Sequence, residues 1–193
     1  MKKRVFIIHG WEGSPENAWF PWLREELAVR GFEVFVPQLP QPEEPRIQNW
    51  LPALKGVAPD PDEATYFVGH SLGCQTIARH LEGLPEHIIV GGAVFVGGFF
   101  KRLTNIEADA LSQSVAKEWL ATPLNLSKVR TRLRKSVAIF SDNDDYVPLE
   151  NQDDFRDKLG ATIIVEKQMG HFDTSSGVTE LPVALESLLQ IAQ

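Results

Sequence analysis

The sequence predicts an α/β protein with a doubly wound, mostly parallel sheet of about six strands and helices on both faces. Short apolar runs of four or five residues alternate with amphipathic stretches long enough for helices. This alternation is typical of right-handed βαβ units. The runs show little polar alternation, as expected of strands that are buried on both faces. The predicted strands are 4–8, 32–36, 65–68, 92–96, 137–140 and 162–165.

The predicted helices follow from apolar residues at helical spacing. Gly31 supplies a stop signal for the first helix. In the second helix, Asn49 is a plausible N-cap, and Pro52 would then lie in the first turn, where proline is tolerated. The predicted helices are 17–30, a helix that starts near Asn49, 74–81, 151–159 and 182–191.

Length and composition exclude several classes of protein. The 193 residues fit one domain, and the net charge of −7 argues against non-specific nucleic-acid binding. The single cysteine, Cys74, cannot form an internal disulfide, which favours a reducing cytoplasm. No window approaches the roughly 20 apolar residues of a membrane span. We therefore expect one cytoplasmic domain over 1–193, without a targeting segment and with neither a nucleic-acid nor a membrane partner.

The segment 99–135 interrupts the alternation of strands and helices. It is long, polar and mostly helical in pattern, and it lies between two predicted strands. Two interpretations are equally open: a small cap over a functional site, or an ordinary crossover connection with a solvated basic face. The basic residues of that face are Lys128, Arg130, Arg132, Arg134 and Lys135.

Residues 69–73, with the sequence Gly-His-Ser-Leu-Gly, indicate a nucleophile elbow. The pattern G-x-S-x-G follows a predicted strand and precedes a predicted helix. In such a turn the serine adopts a strained backbone conformation, and Gly69 and Gly73 remove collisions with their neighbours. The hydroxyl of Ser71 would then project at the N-terminus of the next helix, where free backbone N–H groups favour negative charge.

A nucleophilic serine needs a base, and His171 is the predicted base. A serine hydroxyl is a poor nucleophile unless a base within hydrogen-bond reach takes its proton. The site of a doubly wound sheet forms beyond the carboxyl ends of the strands. His9 precedes the serine, His70 lies within the elbow, and His80 and His87 belong to the elbow helix or its end. Only His171 follows the last predicted strand.

The acid that orients the base is predicted in the turn 141–148, directly after the strand 137–140. Asp144 is the first choice, three residues before the pair Val147-Pro148. Asp142 and Asp145 stay open as alternatives, because the pattern alone does not determine the direction of a side chain.

Two backbone N–H groups are predicted to stabilise the oxyanion of an acyl-transfer reaction. One belongs to Leu72, the residue after the nucleophile, and the other to Trp11, in the loop after the first strand. Other chemistries fit less well. The loop after the first strand has neither a G-x-G-x-x-G pattern nor a Walker lysine, which argues against nucleotide binding. The residues from Asp142 resemble the start of a calcium-binding loop, but Tyr146 stands where such a loop needs an acidic residue. We therefore expect no metal and no cofactor.

These motifs together resemble the α/β-hydrolase fold, and the chain is similar to the small serine hydrolases related to retinoblastoma-binding protein nine and YdeN. The resemblance covers nearly the whole chain and is least distinctive over 99–135. It implies a minimal six-stranded, mostly parallel sheet without a large lid, and a Ser-Asp-His triad at Ser71, Asp144 and His171. The motifs that support it are 6–10, 49–52, 69–73, Trp19, Asp144 before Val147-Pro148, and 170–172.

The sequence thus predicts a serine hydrolase of the carboxylesterase type. The expected substrate is a small-molecule ester, or else a thioester or an amide, that forms an acyl-enzyme on Ser71. Fold does not determine function, so one alternative is a binding or partner-interaction protein on a hydrolase scaffold, with an unknown protein partner. A further alternative is acyl transfer to an acceptor other than water.

Overall fold

The computed structural model describes residues 2–193, and its strands form one parallel sheet. The strand order is β2-β1-β3-β4-β5-β6, and all five neighbouring pairs are parallel. The predicted fold class is therefore confirmed. In the part of the chain described, the strands are β1 (Arg4–Ile8), β2 (Glu33–Phe35), β3 (Thr65–His70), β4 (Val90–Val96), β5 (Leu133–Ser141) and β6 (Thr162–Glu166).

Helices cover both faces of the sheet. α1 and α6 pack on one face, and α2 to α5 pack on the other. Side chains of a strand alternate between the faces, so Val5 and Ile7 contact the first group of helices and Phe6 and Ile8 the second. The helices are α1 (Phe20–Val29), α2 (Ile47–Val57), α3 (Leu72–Glu82), α4 (Ala110–Ala121), α5 (Leu126–Arg130) and α6 (Pro182–Ile191). No helix within residues 2–193 is both long and apolar enough to cross a membrane.

The start of α2 differs from the prediction. Arg46, not Asn49, precedes the first helical residue, so Pro52 lies in the helix interior. The reason is a tertiary contact: the Ile47 N–H donates to the Glu118 carboxylate at 3.0 Å, which satisfies a free donor of the first turn. A partner 71 residues away leaves no local capping pattern.

β5 and the predicted helix 151–159 also differ between sequence and structure. β5 begins at Leu133, four residues before the predicted start. The apolar pattern missed these residues because Arg134 and Lys135, near the start of the strand, are exposed and charged. The predicted helix 151–159 is present, but it begins with a 3-10 turn at Leu149–Asn151 and continues through residues 152–153 into a π-helix at Asp154–Leu159.

The strand order places two loops side by side at the carboxyl edge of the sheet. β1 pairs with β2 on one side and with β3 on the other, so the order of connection reverses at β1. A crevice forms at such a switch point, beyond the carboxyl ends of the strands. The loop that follows β1 therefore lies next to Ser71, which follows β3.

Candidate active site

Ser71 occupies a sharp turn between β3 and α3. Its backbone has φ 52° and ψ −119°, a conformation that costs energy for a residue with a side chain. A Cβ at Gly69 would lie 2.9 Å from the Cys74 nitrogen, and one at Gly73 would collide with the carbonyl oxygen of Ile8. Only glycine at both positions lets the start of α3 pack so closely. The turn therefore presents Ser71 at the carboxyl edge of the sheet.

The structure brings together the serine, the histidine and the first-choice aspartate. The Ser71 hydroxyl oxygen lies 2.9 Å from His171 Nε2, and His171 Nδ1 lies 2.8 Å from Asp144 Oδ2. The Asp144 side chain is only 2% exposed and that of His171 12%. The second oxygen of Asp144, Oδ1, accepts the N–H groups of Tyr146 and Val147, both at 2.9 Å. These two bonds orient the carboxylate so that its free oxygen faces the imidazole.

The other two aspartates of the turn have different contacts. Asp142 Oδ1 accepts the Gln168 N–H at 2.8 Å, and so contacts the loop that follows β6. At Asp145 the contact is through the backbone, since its carbonyl oxygen accepts the Thr104 hydroxyl and the Asn105 amide, each at 2.8 Å. Neither carboxylate contacts the imidazole of His171 among the hydrogen bonds of residues 2–193.

Side chains that sequence reasoning missed hold the histidine loop against the end of β5. The Ser141 hydroxyl accepts the Met169 N–H at 3.0 Å, and the Asn143 side chain accepts the Gly170 N–H at 2.9 Å. The available signal was the run of short polar residues around the acid, since such side chains often bond to nearby backbone. These contacts determine where His171 leaves the sheet edge.

His70 contacts both the backbone and the ring of His171. Its Nε2–H donates to the His171 carbonyl at 2.7 Å, and the two rings lie 4.9 Å apart. Burial lowers the pKa of His70 to about 4, so the ring is neutral near pH 7. Trp19 adds a second contact, because its indole N–H donates to the carbonyl of Phe172 at 2.9 Å.

Both residues predicted to supply an oxyanion donor, Leu72 and Trp11, line the cavity next to Ser71. Leu72 is the first residue of α3, so its N–H has no carbonyl partner within the helix. Trp11 lies in the loop after β1, and that loop approaches the nucleophile closely: a Cβ on Gly10 would lie 2.9 Å from Ser71 Cβ. The arrangement can stabilise negative charge on an oxygen bound near Ser71.

A cavity of about 350 Å³ opens above Ser71. One wall belongs to the segment 99–135 and is mainly apolar, with Phe99, Leu103, Ile106, Val115 and Trp119. The charged side chains of the lining are all acidic, namely Glu12, Glu107 and Asp173, and the lining contains neither lysine nor arginine.

Two other chemistries find no support near the cavity. Cys74 is buried, its thiol contacts the carbonyl of Gly69 at 3.3 Å, and burial raises its pKa, so the thiol stays protonated. Within residues 2–193, no three His, Cys, Asp or Glu side chains are grouped so that they could hold a metal ion. The reactive groups at the cavity are therefore the hydroxyl of Ser71 and the imidazole of His171.

Known proteins share both sequence and fold with this chain. A serine hydrolase family model matches residues 5–190. YdeN of Bacillus subtilis is 32% identical over 188 residues, which cover 97% of this chain and 95% of YdeN. The YdeN crystal structure superposes with a TM-score of 0.89 over 98% of both chains.

Two more distant proteins are similar to this chain over most of their length. The serine hydrolase RBBP9 of Rattus norvegicus is 22% identical over 160 residues, which cover 82% of this chain and 80% of RBBP9. A carboxylesterase structure from Nitrososphaera gargenis is 14% identical, with a TM-score of 0.74 over 99% of this chain and 91% of its own. With the family match over nearly its whole length, the chain belongs to the serine hydrolase family.

Proposed function

We propose that this hydrolase cleaves carboxylic esters through an acyl-enzyme on Ser71. The observation that carries the proposal is the continuous hydrogen-bonded series from Ser71 through His171 to Asp144, which faces a cavity large enough for a small ester. Membership of the serine hydrolase family supports the reaction class. The carboxylesterase among the proteins of the same fold supports the choice of ester substrates.

The proposed mechanism assigns one task to each residue. The Ser71 oxygen attacks the carbonyl carbon, and His171 Nε2 takes the serine proton. Asp144 keeps the proton of the neutral imidazole on Nδ1 and stabilises the imidazolium cation. The N–H groups of Leu72 and Trp11 bind the oxyanion of the tetrahedral intermediate. When that intermediate collapses, His171 protonates the departing alkoxide, and water then repeats the sequence on the acyl-enzyme.

The cavity wall guides the proposed choice of substrate. We propose that the segment 99–135 acts as a small cap, because its apolar side chains line the same cavity as Ser71. A volume of about 350 Å³ suits a short or medium acyl chain. The same chemistry would serve thioesters and activated amides.

The first experiment is hydrolysis of p-nitrophenyl esters with acyl chains of increasing length. We expect Ser71→Ala to lower kcat/KM by roughly a thousandfold or more, because the nucleophile is removed. Ser127→Ala is the matched control, since Ser127 is exposed on α5 and does not line the cavity. The control should match the wild type.

A fluorophosphonate probe separates turnover from an inactive scaffold. The probe should modify Ser71 in the wild type, as read by mass spectrometry of the labelled peptide. Turnover that survives in Ser71→Ala would contradict the assignment of the nucleophile. Absence of both labelling and turnover would favour the binding-protein alternative, and ester formation with added alcohols would reveal acyl transfer.

A further inference from the structure

His9, the residue that follows β1, is buried and uses both ring nitrogens. Its exposed fraction is 0%. Nδ1 lies 2.8 Å from the carbonyl oxygen of Gly10, and Nε2 lies 2.9 Å from the backbone nitrogen of Leu39. The ring also packs edge-on against Trp50, with 5.3 Å between the ring centroids. The proposed mechanism does not use this side chain.

The contacts of His9 determine its tautomer. The backbone nitrogen of Leu39 is a donor, so Nε2 must carry a lone pair and accept. The proton of the neutral ring is then on Nδ1 and is donated to the carbonyl of Gly10. Burial lowers the pKa of His9, which is consistent with a neutral ring.

The bond to Gly10 also orients the neighbouring N–H group. The carbonyl of Gly10 and the N–H of Trp11 belong to one planar trans peptide unit, so the two point in opposite directions. The carbonyl accepts from His9 Nδ1 at 2.8 Å and from the Gly13 N–H at 3.1 Å. Held by these two donors, the carbonyl leaves the Trp11 N–H on the opposite side of the peptide.

The position of the cavity is consistent with this orientation of the Trp11 N–H. Gly10, Trp11 and Ser71 all line it. Among the backbone hydrogen bonds of the loops in residues 2–193, none uses the Trp11 N–H as donor. The group is therefore available to a substrate oxygen.

We propose that His9 is a positioning residue for the oxyanion hole: its Nδ1–H fixes the Gly10–Trp11 peptide so that the Trp11 N–H faces the developing oxyanion. This inference rests on the proposed ester hydrolysis. His9 touches no reacting atom and acts only through the peptide that it holds. Its contribution should thus appear in the transition state, where the oxyanion forms, more than in substrate binding.

Two substitutions separate the two ring nitrogens. The side-chain amide of His9→Asn can place a donor near the Nδ1 position, and that of His9→Gln can place an acceptor near the Nε2 position. We expect His9→Gln to lower kcat about tenfold with KM changed less than about twofold, since an oxyanion donor would be misaligned. His9→Asn should keep kcat within about threefold of the wild type, although its melting temperature falls because the Leu39 N–H loses its acceptor.

A transition-state analogue gives a second readout. A trifluoromethyl ketone forms a charged hemiketal oxyanion on Ser71, so its inhibition constant should rise in His9→Gln by about the same factor as kcat falls. If His9→Gln does not fold, His9→Asn and His9→Leu provide the comparison. They have similar shapes, and both lack the acceptor for Leu39, but only asparagine can donate to Gly10.

The results distinguish a failure of the role proposed for His9 from a failure of the proposed function. Equal kcat and equal inhibition in the donor-bearing and donor-lacking variants, with Ser71-dependent turnover intact, would overturn the role of His9 alone. A wild type without turnover, or turnover that survives in Ser71→Ala, would overturn the proposed function itself. A fall in kcat confined to variants that cannot donate to Gly10, with a matching change in inhibition, would establish the positioning role.

Discussion

At the scale of single residues, the two oxygens of Asp144 have separate tasks. Oδ1 accepts the N–H groups of Tyr146 and Val147, and Oδ2 contacts His171. The carboxylate therefore cannot rotate without losing two hydrogen bonds. An asparagine at position 144 would keep its oxygen on the N–H groups of Tyr146 and Val147. Its NH₂ group would then face His171.

We expect Asp144→Asn to lower kcat by about a thousandfold or more, because the amide NH₂ would force the proton of His171 onto Nε2, the atom that must accept from Ser71. Steady-state ester hydrolysis measures this change. Asp142→Asn is the matched control, since its amide oxygen can still accept the Gln168 N–H, and it should stay within about threefold of the wild type. Similar losses in the two variants would contradict the separate tasks.

The choice among the aspartates shows what sequence patterns can and cannot determine. The order of strand, elbow serine, acid and histidine follows from periodicity and position, so the site residues could be named from the sequence. The direction of each carboxylate depends on the turn at 141–148 and on hydrogen bonds to the loop after β6. Such bonds join residues 26 or 27 positions apart, and no local pattern reports them.

At the scale of elements, Asn151 joins the segment 99–135 to the loop after β5. Its side chain is fully buried. Oδ1 lies within 3.2–3.4 Å of the nitrogens of Phe100, Lys101 and Arg102, and Nδ2 donates to the carbonyls of Arg102 and Pro148 at 2.9 and 3.0 Å. This cluster therefore connects the backbone of residues 100–102 to the 3-10 turn at Leu149–Asn151.

Removal of this side chain should loosen the cavity wall. We expect Asn151→Ala to lower the free energy of unfolding by about 2 kcal/mol or more, because several buried backbone groups lose their partners. KM for the best p-nitrophenyl ester should rise more than kcat falls, since Phe99 and Leu103 line the cavity directly beside the released backbone. Thermal melts and steady-state kinetics measure both effects.

Asn49→Ala is the control for this prediction, because the Asn49 side chain makes its hydrogen bond to Gln41 at the exposed surface. It should leave both the melting temperature and KM near the wild-type values. An Asn151→Ala variant with unchanged KM would show that the wall is held by its apolar contacts rather than by this cluster.

At the scale of the whole molecule, the chain has a net charge of −7, and the charged side chains that line the cavity are acidic as well. They are Glu12, Glu107 and Asp173. Like charges repel most strongly where water is partly excluded. An acyl group that carries a carboxylate should therefore react more slowly than a neutral one of the same length.

We expect p-nitrophenyl butyrate to be a better substrate than the mono-p-nitrophenyl ester of succinate. Glu107→Gln should raise kcat/KM for the anionic ester by about threefold and leave that for the neutral ester unchanged, because one repulsive charge is removed. Added salt should reduce the difference. Glu180→Gln, at an exposed position outside the lining, is the control. An equal response to both esters in Glu107→Gln would rule out a charge effect.

A second property of the whole molecule is that the fold buries histidines in the neutral form. Burial lowers the pKa of His70 and of His80 to about 4, from an ordinary value of 6.5, and Lys55 contributes at His80. In the unfolded chain both residues take up protons near pH 6.5. Between about pH 6.5 and pH 4 the unfolded state thus binds more protons, so the free energy of unfolding decreases as the pH falls. The free energy of unfolding therefore has its full contribution from these two histidines only above about pH 6.5.

This acid sensitivity can be assigned to one side chain by substitution at His80, which contacts Phe67 and lies on α3, outside the cavity lining. For one such histidine the linkage predicts a loss of about 2 kcal/mol between pH 7 and pH 5. His80→Gln does not titrate there, so its melting temperature should fall less steeply with pH than that of the wild type. His87→Gln changes an exposed histidine and should follow the wild-type curve. If the curves of His80→Gln and His87→Gln were parallel, the loss of stability in acid would have to come from other groups.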